Sequence, residues 1–181
     1  MSDQFLYTTL LDPLARPLIE SLSHEYETRY AESSLEAGEV REMQKYPPEL
    51  FAPPDGNFLL LLRHGEAIAG GAFKRYDAQT AEFKRIWTRG DLRRQGLARR
   101  LLVELEAQAQ RQGYRRIYLT TGNRQPEAVG LYLSHGYRKL FDHAIDPEVR
   151  CSLPFEKPLA PVPDRAVTFS PPFPSTTLAS A

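Results

Sequence analysis

Arg93-Arg94-Gln95-Gly96-Leu97-Ala98 combines charge, a glycine and a small residue at a point where one structural period gives way to another. A strand-like run precedes it and a helix-like run follows. A chain turning from strand to helix brings several backbone N–H groups to one place. Gly96 lets the backbone approach a ligand with no Cβ in the way, and Ala98 keeps the first helical turn small. The first N–H groups of a helix lack partners within it, and with the helix dipole they favour an anion. Arg89, Arg93, Arg94, Arg99 and Arg100 add positive charge around the same point. The pattern reads as a diphosphate site. It is not a Walker loop, which needs Gly-Lys-Ser or Gly-Lys-Thr, nor the dinucleotide fingerprint with its three spaced glycines. The competing reading is an ordinary helix start with solvated arginines.

Periodicity and turn residues outline the scaffold around this segment. Leu6 to Leu10 suits a short first strand. Asp12 is a helix N-cap ahead of Pro13, and Leu14, Leu18, Leu22 and Tyr26 recur at helical spacing. Glu39 to Tyr46 reads as a shorter helix, ended by Pro47 and Pro48. Phe58 to Leu62, a turn at Arg63 to Glu66, and Ala67 to Arg75 form a hairpin signature. Ala81 to Thr88 is a third strand. Leu97 to Gln112 is an amphipathic helix with Leu97, Leu101, Leu105 and Ala109 on one face, closed by Gly113. Ile117 to Thr121 is a strand, Pro126 to Ser134 a helix closed by Gly136, and Tyr137 to Phe141 and Val149 to Phe155 the last strands. This order predicts an α/β (α+β) domain with a mixed central sheet flanked by helices. Residues 1–158 are expected to form it. Residues 159–181, rich in Pro, Ser, Thr and Ala, read as a tail with little regular structure. Within that tail, Val167, Phe169 and Phe173 are candidates to dock on the domain.

Composition narrows the function classes. The chain has 181 residues, with 23 Lys plus Arg against 23 Asp plus Glu. Zero formal charge argues against general nucleic-acid binding, which depends on neutralising phosphates. The single cysteine, Cys151, cannot form an internal disulfide. It reads as a buried thiol rather than a nucleophile. Met1 to Thr9 lacks the basic start and apolar run of a signal peptide. Phe58 to Leu62 is far too short to span a membrane. The expected setting is cytoplasmic, with no membrane partner. No His or Cys spacing suggests a metal site.

Two segments together resemble the GNAT family of N-acetyltransferases. Arg93, Gly96 and Ala98 match its motif of Arg or Gln, two residues, Gly, one residue, then Gly or Ala. Further on, Ala128, Leu131-Tyr132 and Gly136-Tyr137 match its later motif of Asn, two residues, Ala, then Leu-Tyr and Gly-Phe, with Tyr137 in place of Phe. Gln125 stands where Asn is usual, and Asn123 is the nearby substitute. The resemblance implies a GNAT-type acyl-CoA acyltransferase fold with acetyl-CoA as cosubstrate and no metal. It places the coenzyme's diphosphate on Arg93, Arg94, Gln95, Gly96, Leu97, Ala98 and Arg99, and the pantetheine arm along Ile86, Trp87 and Thr88. Gln125 or Asn123 would supply an amide to it.

The resemblance also implies the chemistry. Transfer from a thioester to an amine needs a neutral amine, a polarised carbonyl and a proton for the departing thiolate. Tyr132 matches the family's general acid, and otherwise is an aromatic packed on its helix. Glu82, on the strand before the loop, is the candidate general base, against an ordinary strand glutamate or a water chain in that role. Tyr76, Asp77 and His143 are weaker candidates. Trp87 lines an acceptor or acyl pocket, or belongs to the core. Lys84 and Arg85 read as solvated strand charges. The function expected is transfer of an acetyl group to a primary amine of a small molecule or amino-acid derivative. A protein acetyltransferase and a noncatalytic acyl-CoA-binding domain are the alternatives. The oligomeric state is open, and a homodimer is compatible with this reading.

Overall fold

Phe58-Leu59-Leu60-Leu61-Leu62 is apolar at every position, which suits a strand covered on both faces. In the computed structural model, which describes residues 3–30, 46–141 and 152–160, this run lies in β2 (Asn57–Arg63) and is buried throughout. β2 pairs antiparallel with β1 (Gln4–Thr8) and with β3 (Glu66–Arg75). His64 and Gly65, at φ +53° and +82°, make the β2–β3 turn, as a tight hairpin with right-twisting strands requires. β4 (Thr80–Thr88) continues the meander. β5 (Arg116–Gly122) lies parallel to β4, and β6 (Arg138–Lys139) and β7 (Ser152–Pro158) pair antiparallel. The seven-stranded sheet has the order β1-β2-β3-β4-β5-β7-β6. It is the mixed sheet that the element order predicts.

Helices cover both faces. Asp12 accepts the Leu14 amide at 2.9 Å and starts a short 3-10 turn, Pro13–Ala15, that runs into α1 (Arg16–Tyr30). α1 buries Leu18 and Leu22 in a cluster with Phe58, Leu60 and Trp87. α2 (Leu97–Arg111) buries Leu101, Leu102, Leu105 and Ala109 with Leu59, Phe73, Phe83 and Ile117. α3 (Pro126–Ser134) joins this second cluster through Tyr132. Gly70 and Gly71 of β3 let both helices sit close. A Cβ on Gly70 would lie 2.6 Å from Leu18 Cδ1, and one on Gly71 would lie 2.8 Å from Ile86 Cδ1 and 3.0 Å from Leu105 Cδ1.

Several boundaries differ from the sequence reading. The first strand ends at Thr8, because Thr8 Oγ1 donates to Asp12 at 2.6 Å and the Asp12 amide bonds Thr9 C=O at 3.1 Å. These bonds bend the chain where Thr9 and Leu10 were expected to extend. Instead of Tyr137–Phe141, β6 holds only Arg138 and Lys139. Leu140 N–H still bonds Pro154 C=O at 3.0 Å, but Pro154 has no N–H to return, so the ladder stops there. The expected helix at Glu39 to Tyr46 lies outside the described residues up to position 45. Cys151, His143, Val167, Phe169 and Phe173 also lie outside them. Among the described residues no helix is long and apolar enough to cross a membrane.

Candidate active site

The site begins where β4 and β5 part. They pair from Thr80↔Arg116 to Phe83↔Leu119, after which β4 runs on to Thr88 and β5 to Gly122 without pairing to each other. A bulge in β4 accompanies the separation. Ala72 faces Lys84 and Gly70 faces Trp87, so Arg85 and Ile86 together oppose Gly71. Arg85 takes φ +59° to make the extra step. An inserted residue of this kind bends its strand and increases its twist. A cavity of about 790 Å³ opens in the gap, walled by β4 from Phe83 to Thr88, by Thr120–Gly122, and by residues of α1, α2 and α3.

The turn from β4 into α2 forms one end of this cavity. Arg89 N–H bonds Ile68 C=O at 2.9 Å, and a 3-10 turn, Gly90–Leu92, follows. Arg94 at φ +63° and Gly96 at φ +77° then reverse the chain. Nothing lies within 4 Å of a Cβ built on Gly96, so the glycine is required there by its left-handed conformation. The Arg100 amide bonds Gly96 C=O at 3.1 Å. The amides of Leu97, Ala98 and Arg99 come before that bond and have no carbonyl one turn behind them. All three residues line the cavity.

The five arginines near this turn divide by partner. Arg89 bonds Asp91 at 2.8 Å and Glu66 at 3.1 Å, and Arg100 bonds Asp3 at 2.5 Å. Neither lines the cavity. Arg93, Arg94 and Arg99 do. Arg93 pairs with Glu25 at 3.3 Å, whereas Arg94 and Arg99 take no carboxylate partner among the described residues. Gln95 is exposed and outside the cavity wall. The sequence reading of a uniformly basic turn is therefore corrected: carboxylates already balance three of its five guanidiniums.

The neighbouring positions are brought together less evenly. Ile86, Trp87 and Thr88 all line the cavity. Trp87 is also a core residue beside Leu18 and Leu22. Its Nε1, and Thr88 Oγ1, are buried without a hydrogen-bond partner among the described residues. Gln125 lines the cavity at the N-cap of α3, and Asn123 does not. Tyr132 is 6 % exposed, packed edge-on to Tyr137 at 5.6 Å and against Phe155 at 5.7 Å. Its hydroxyl has no hydrogen-bond partner among the described residues, and burial pushes the phenol well above its ordinary value.

Glu82 is not among the residues that line the cavity, although its neighbour Lys84 is. It points from β4 into ion pairs with Lys74 at 2.5 Å and Lys84 at 3.1 Å. Burial alone would raise its carboxyl, but Lys84 and Lys74 overcome this and hold it below its ordinary value. A carboxylate so stabilised is a weak proton acceptor, so the geometry does not favour the base role expected for it. Lys84, expected to be solvated, has a side chain only 11 % exposed. Among the described residues, no group of three or more His, Cys, Asp or Glu is placed to hold a metal ion.

Two residues of α1 escaped the sequence reading. Glu25 lines the cavity and holds Arg29 at 3.0 Å as well as Arg93. Arg29 in turn bonds Glu127 of α3 and donates to Arg124 C=O at 2.7 Å, while Arg124 donates back to Arg29 C=O at 2.8 Å. Together these bonds strap the end of α1 to the start of α3. The signal was present as an acid–base pair one helical turn apart, on the face that carries Leu22 and Tyr26.

The fold is that of the coenzyme A-dependent acyltransferases. The Acetyltransferase (GNAT) family matches residues 17–137, and the chain belongs to that family. A candidate acyl-CoA N-acyltransferase from Klebsiella pneumoniae is 26% identical, with a TM-score of 0.67 over 87% of this chain and 98% of that one. PaiA N-acetyltransferase from Thermoplasma acidophilum, solved in complex with coenzyme A, is 21% identical with a TM-score of 0.66 over 87% and 99%. A GNAT acetyltransferase from Elizabethkingia anophelis with acetyl-CoA bound is 17% identical with a TM-score of 0.57 over 87% and 98%. The last two likenesses concern the fold alone. No curated protein matches significantly in sequence.

Proposed function

We propose that this protein is an acetyl-CoA-dependent N-acetyltransferase that moves the acetyl group directly onto a primary amine of a small molecule or amino-acid derivative. Family membership and fold support acetyl transfer. The observation that carries the site assignment is the gap between β4 and β5, which ends at the amides of Leu97, Ala98 and Arg99 and is lined by Tyr132. Residues 1–158 form the catalytic domain in this reading.

Acetyl-CoA supplies a thioester whose acyl carbon an amine can attack. The chain's own residues hold and polarise it. The amides at the start of α2, with Arg94 and Arg99, take the linked phosphates. Beyond Phe83, the edge of β4 carries backbone groups that β5 does not pair, and these meet the pantetheine arm and the carbonyl. Thr88 Oγ1 and Trp87 Nε1, buried without partners among the described residues, suit a polar chain laid along this wall. Tyr132 stays protonated across the neutral range and gives its proton to the departing thiolate. Direct transfer needs no acyl-enzyme, so Cys151 has no role. The amine loses its proton to water rather than to Glu82.

The strap between α1 and α3 borders the cavity through Glu25 and Glu127, and an extended peptide entering between these helices would have to displace it, which favours a small acceptor. The test is a screen of primary amines and of peptides with acetyl-CoA, following free thiol release. Turnover of small amines supports the reading. Turnover confined to peptides would replace it with the protein acetyltransferase.

A further inference from the structure

Among the described residues, Glu25 is the cavity-wall carboxylate that forms an ion pair with the phosphate-binding turn, while Glu127, also in the wall, feels the charge of Arg93 without bonding it. Glu25 sits between two guanidiniums of unequal freedom. Arg29 is fixed by Glu127 and by Arg124 C=O as well as by Glu25. Arg93 has Glu25 as its one ion-pair partner among the described residues, at 3.3 Å, and its side chain is 48 % exposed. Arg93 also stands in the turn that leads to Gly96 and lines the cavity there. A diphosphate bound at the start of α2 therefore competes with Glu25 for the same guanidinium, and it carries more charge.

We propose that the Arg93–Glu25 pair is a latch between the coenzyme and acceptor sides of the cavity. Coenzyme binding draws Arg93 to the diphosphate. Glu25 then keeps Arg29 and gains an uncovered oxygen in a wall that also carries Leu22 and Trp87. That oxygen receives a cationic group of the incoming acceptor distinct from the neutral amine that attacks the thioester, which makes an amine carrying a second positive charge on an apolar body the preferred substrate class. In the unliganded protein the same oxygen is covered by Arg93, so the amine binds after the coenzyme. This inference rests on the proposed diphosphate site at Gly96.

The experiment is a calorimetric titration of coenzyme A into wild type, Glu25→Gln, Arg93→Gln and the double variant, each checked for folding by thermal melting. A latch predicts that Glu25→Gln binds coenzyme A about three- to fivefold more tightly, the scale of one part-exposed ion pair. Arg93→Gln binds more weakly. Removing Glu25 also removes a negative charge near an anionic ligand, so the double variant is the decisive arm. In the Arg93→Gln background, Glu25→Gln should change affinity by less than about twofold. Unchanged or weaker binding by Glu25→Gln overturns the latch, and so does equal tightening in both backgrounds. If Glu25→Gln does not fold, the remaining arm decides: Arg93→Gln binding coenzyme A as well as wild type overturns the latch. If wild type itself does not bind coenzyme A, the failure lies with the proposed function. With an amine that is turned over, Glu25→Gln should raise its KM about tenfold or more while kcat holds within a few-fold. An unchanged KM removes the acceptor role.

Discussion

Gln125 Oε1 accepts the Thr121 hydroxyl at 2.7 Å and the Gly122 amide at 3.3 Å. A residue at the start of α3 thereby fixes the end of β5, on the side of the gap opposite β4. The longer amide is what reaches across, since asparagine from the same position is one methylene shorter. Gln125→Asn should lose both bonds and about 1–2 kcal/mol of stability, read as a lower denaturation midpoint. It should also weaken coenzyme A binding. Full stability in that variant would show that the contact is incidental.

Tyr132→Phe separates chemistry from binding. The ring packing with Tyr137 and Phe155 survives the change, and only the hydroxyl is lost. With a functioning acceptor, kcat should fall about a hundredfold, with coenzyme A affinity within about twofold of wild type. Because burial holds the phenol above its ordinary value of 10, the wild-type rate should show no alkaline loss from this group below that pH. A variant with undiminished kcat would return Tyr132 to a packing role.

Gly71 predicts a linked loss of stability and site geometry. Alanine there drives a methyl into Ile86 and Leu105, which must move. The expected cost is about 1–3 kcal/mol. Because Ile86 belongs to the β4 bulge, coenzyme A binding should weaken too. Chemical denaturation and titration of the same sample test both parts.

Glu82 gives a pH signature of stability. Its folded carboxyl is depressed below the unfolded value of 4.5, so its contribution is present above that pH and fades as pH falls through the folded value. Glu82→Gln should be less stable than wild type at neutral pH, by about 1–2 kcal/mol, because the part-buried Lys74 and Lys84 both lose a carboxylate they pair with. The difference should shrink below pH 4.5. A difference independent of pH would point to packing instead of charge.

Much of this was legible in the residues. Continuous apolarity from Phe58 to Leu62 specified a strand buried on both faces, and helical spacing from Leu97 to Ala109 specified α2 nearly to its ends. Gly96 was found by its setting between strand and helix. The bulge at Arg85 was not, because nothing in Lys84-Arg85-Ile86-Trp87 marks an extra residue, and the residue it faces, Gly71, lies across the sheet. Charge identity likewise said little about charge partners. Glu82 stood at a suggestive distance from Gly96 along the chain, yet strand alternation turns it toward Lys74 and Lys84. Glu25, far away in sequence, reaches the cavity because α1 packs over Trp87. Pairings made by tertiary packing leave no local trace.

Titration of coenzyme A into the wild-type protein and a Gly96→Val variant bears on the whole reading. Valine cannot hold φ +77° without strain, so it should disrupt the amides of Leu97, Ala98 and Arg99 while α2 remains anchored by its leucines. Saturable binding by wild type at micromolar concentrations, lost or weakened about a hundredfold or more in a folded Gly96→Val, is the predicted result. Absence of binding by wild type up to about 1 mM, or equal binding by both proteins, would contradict it.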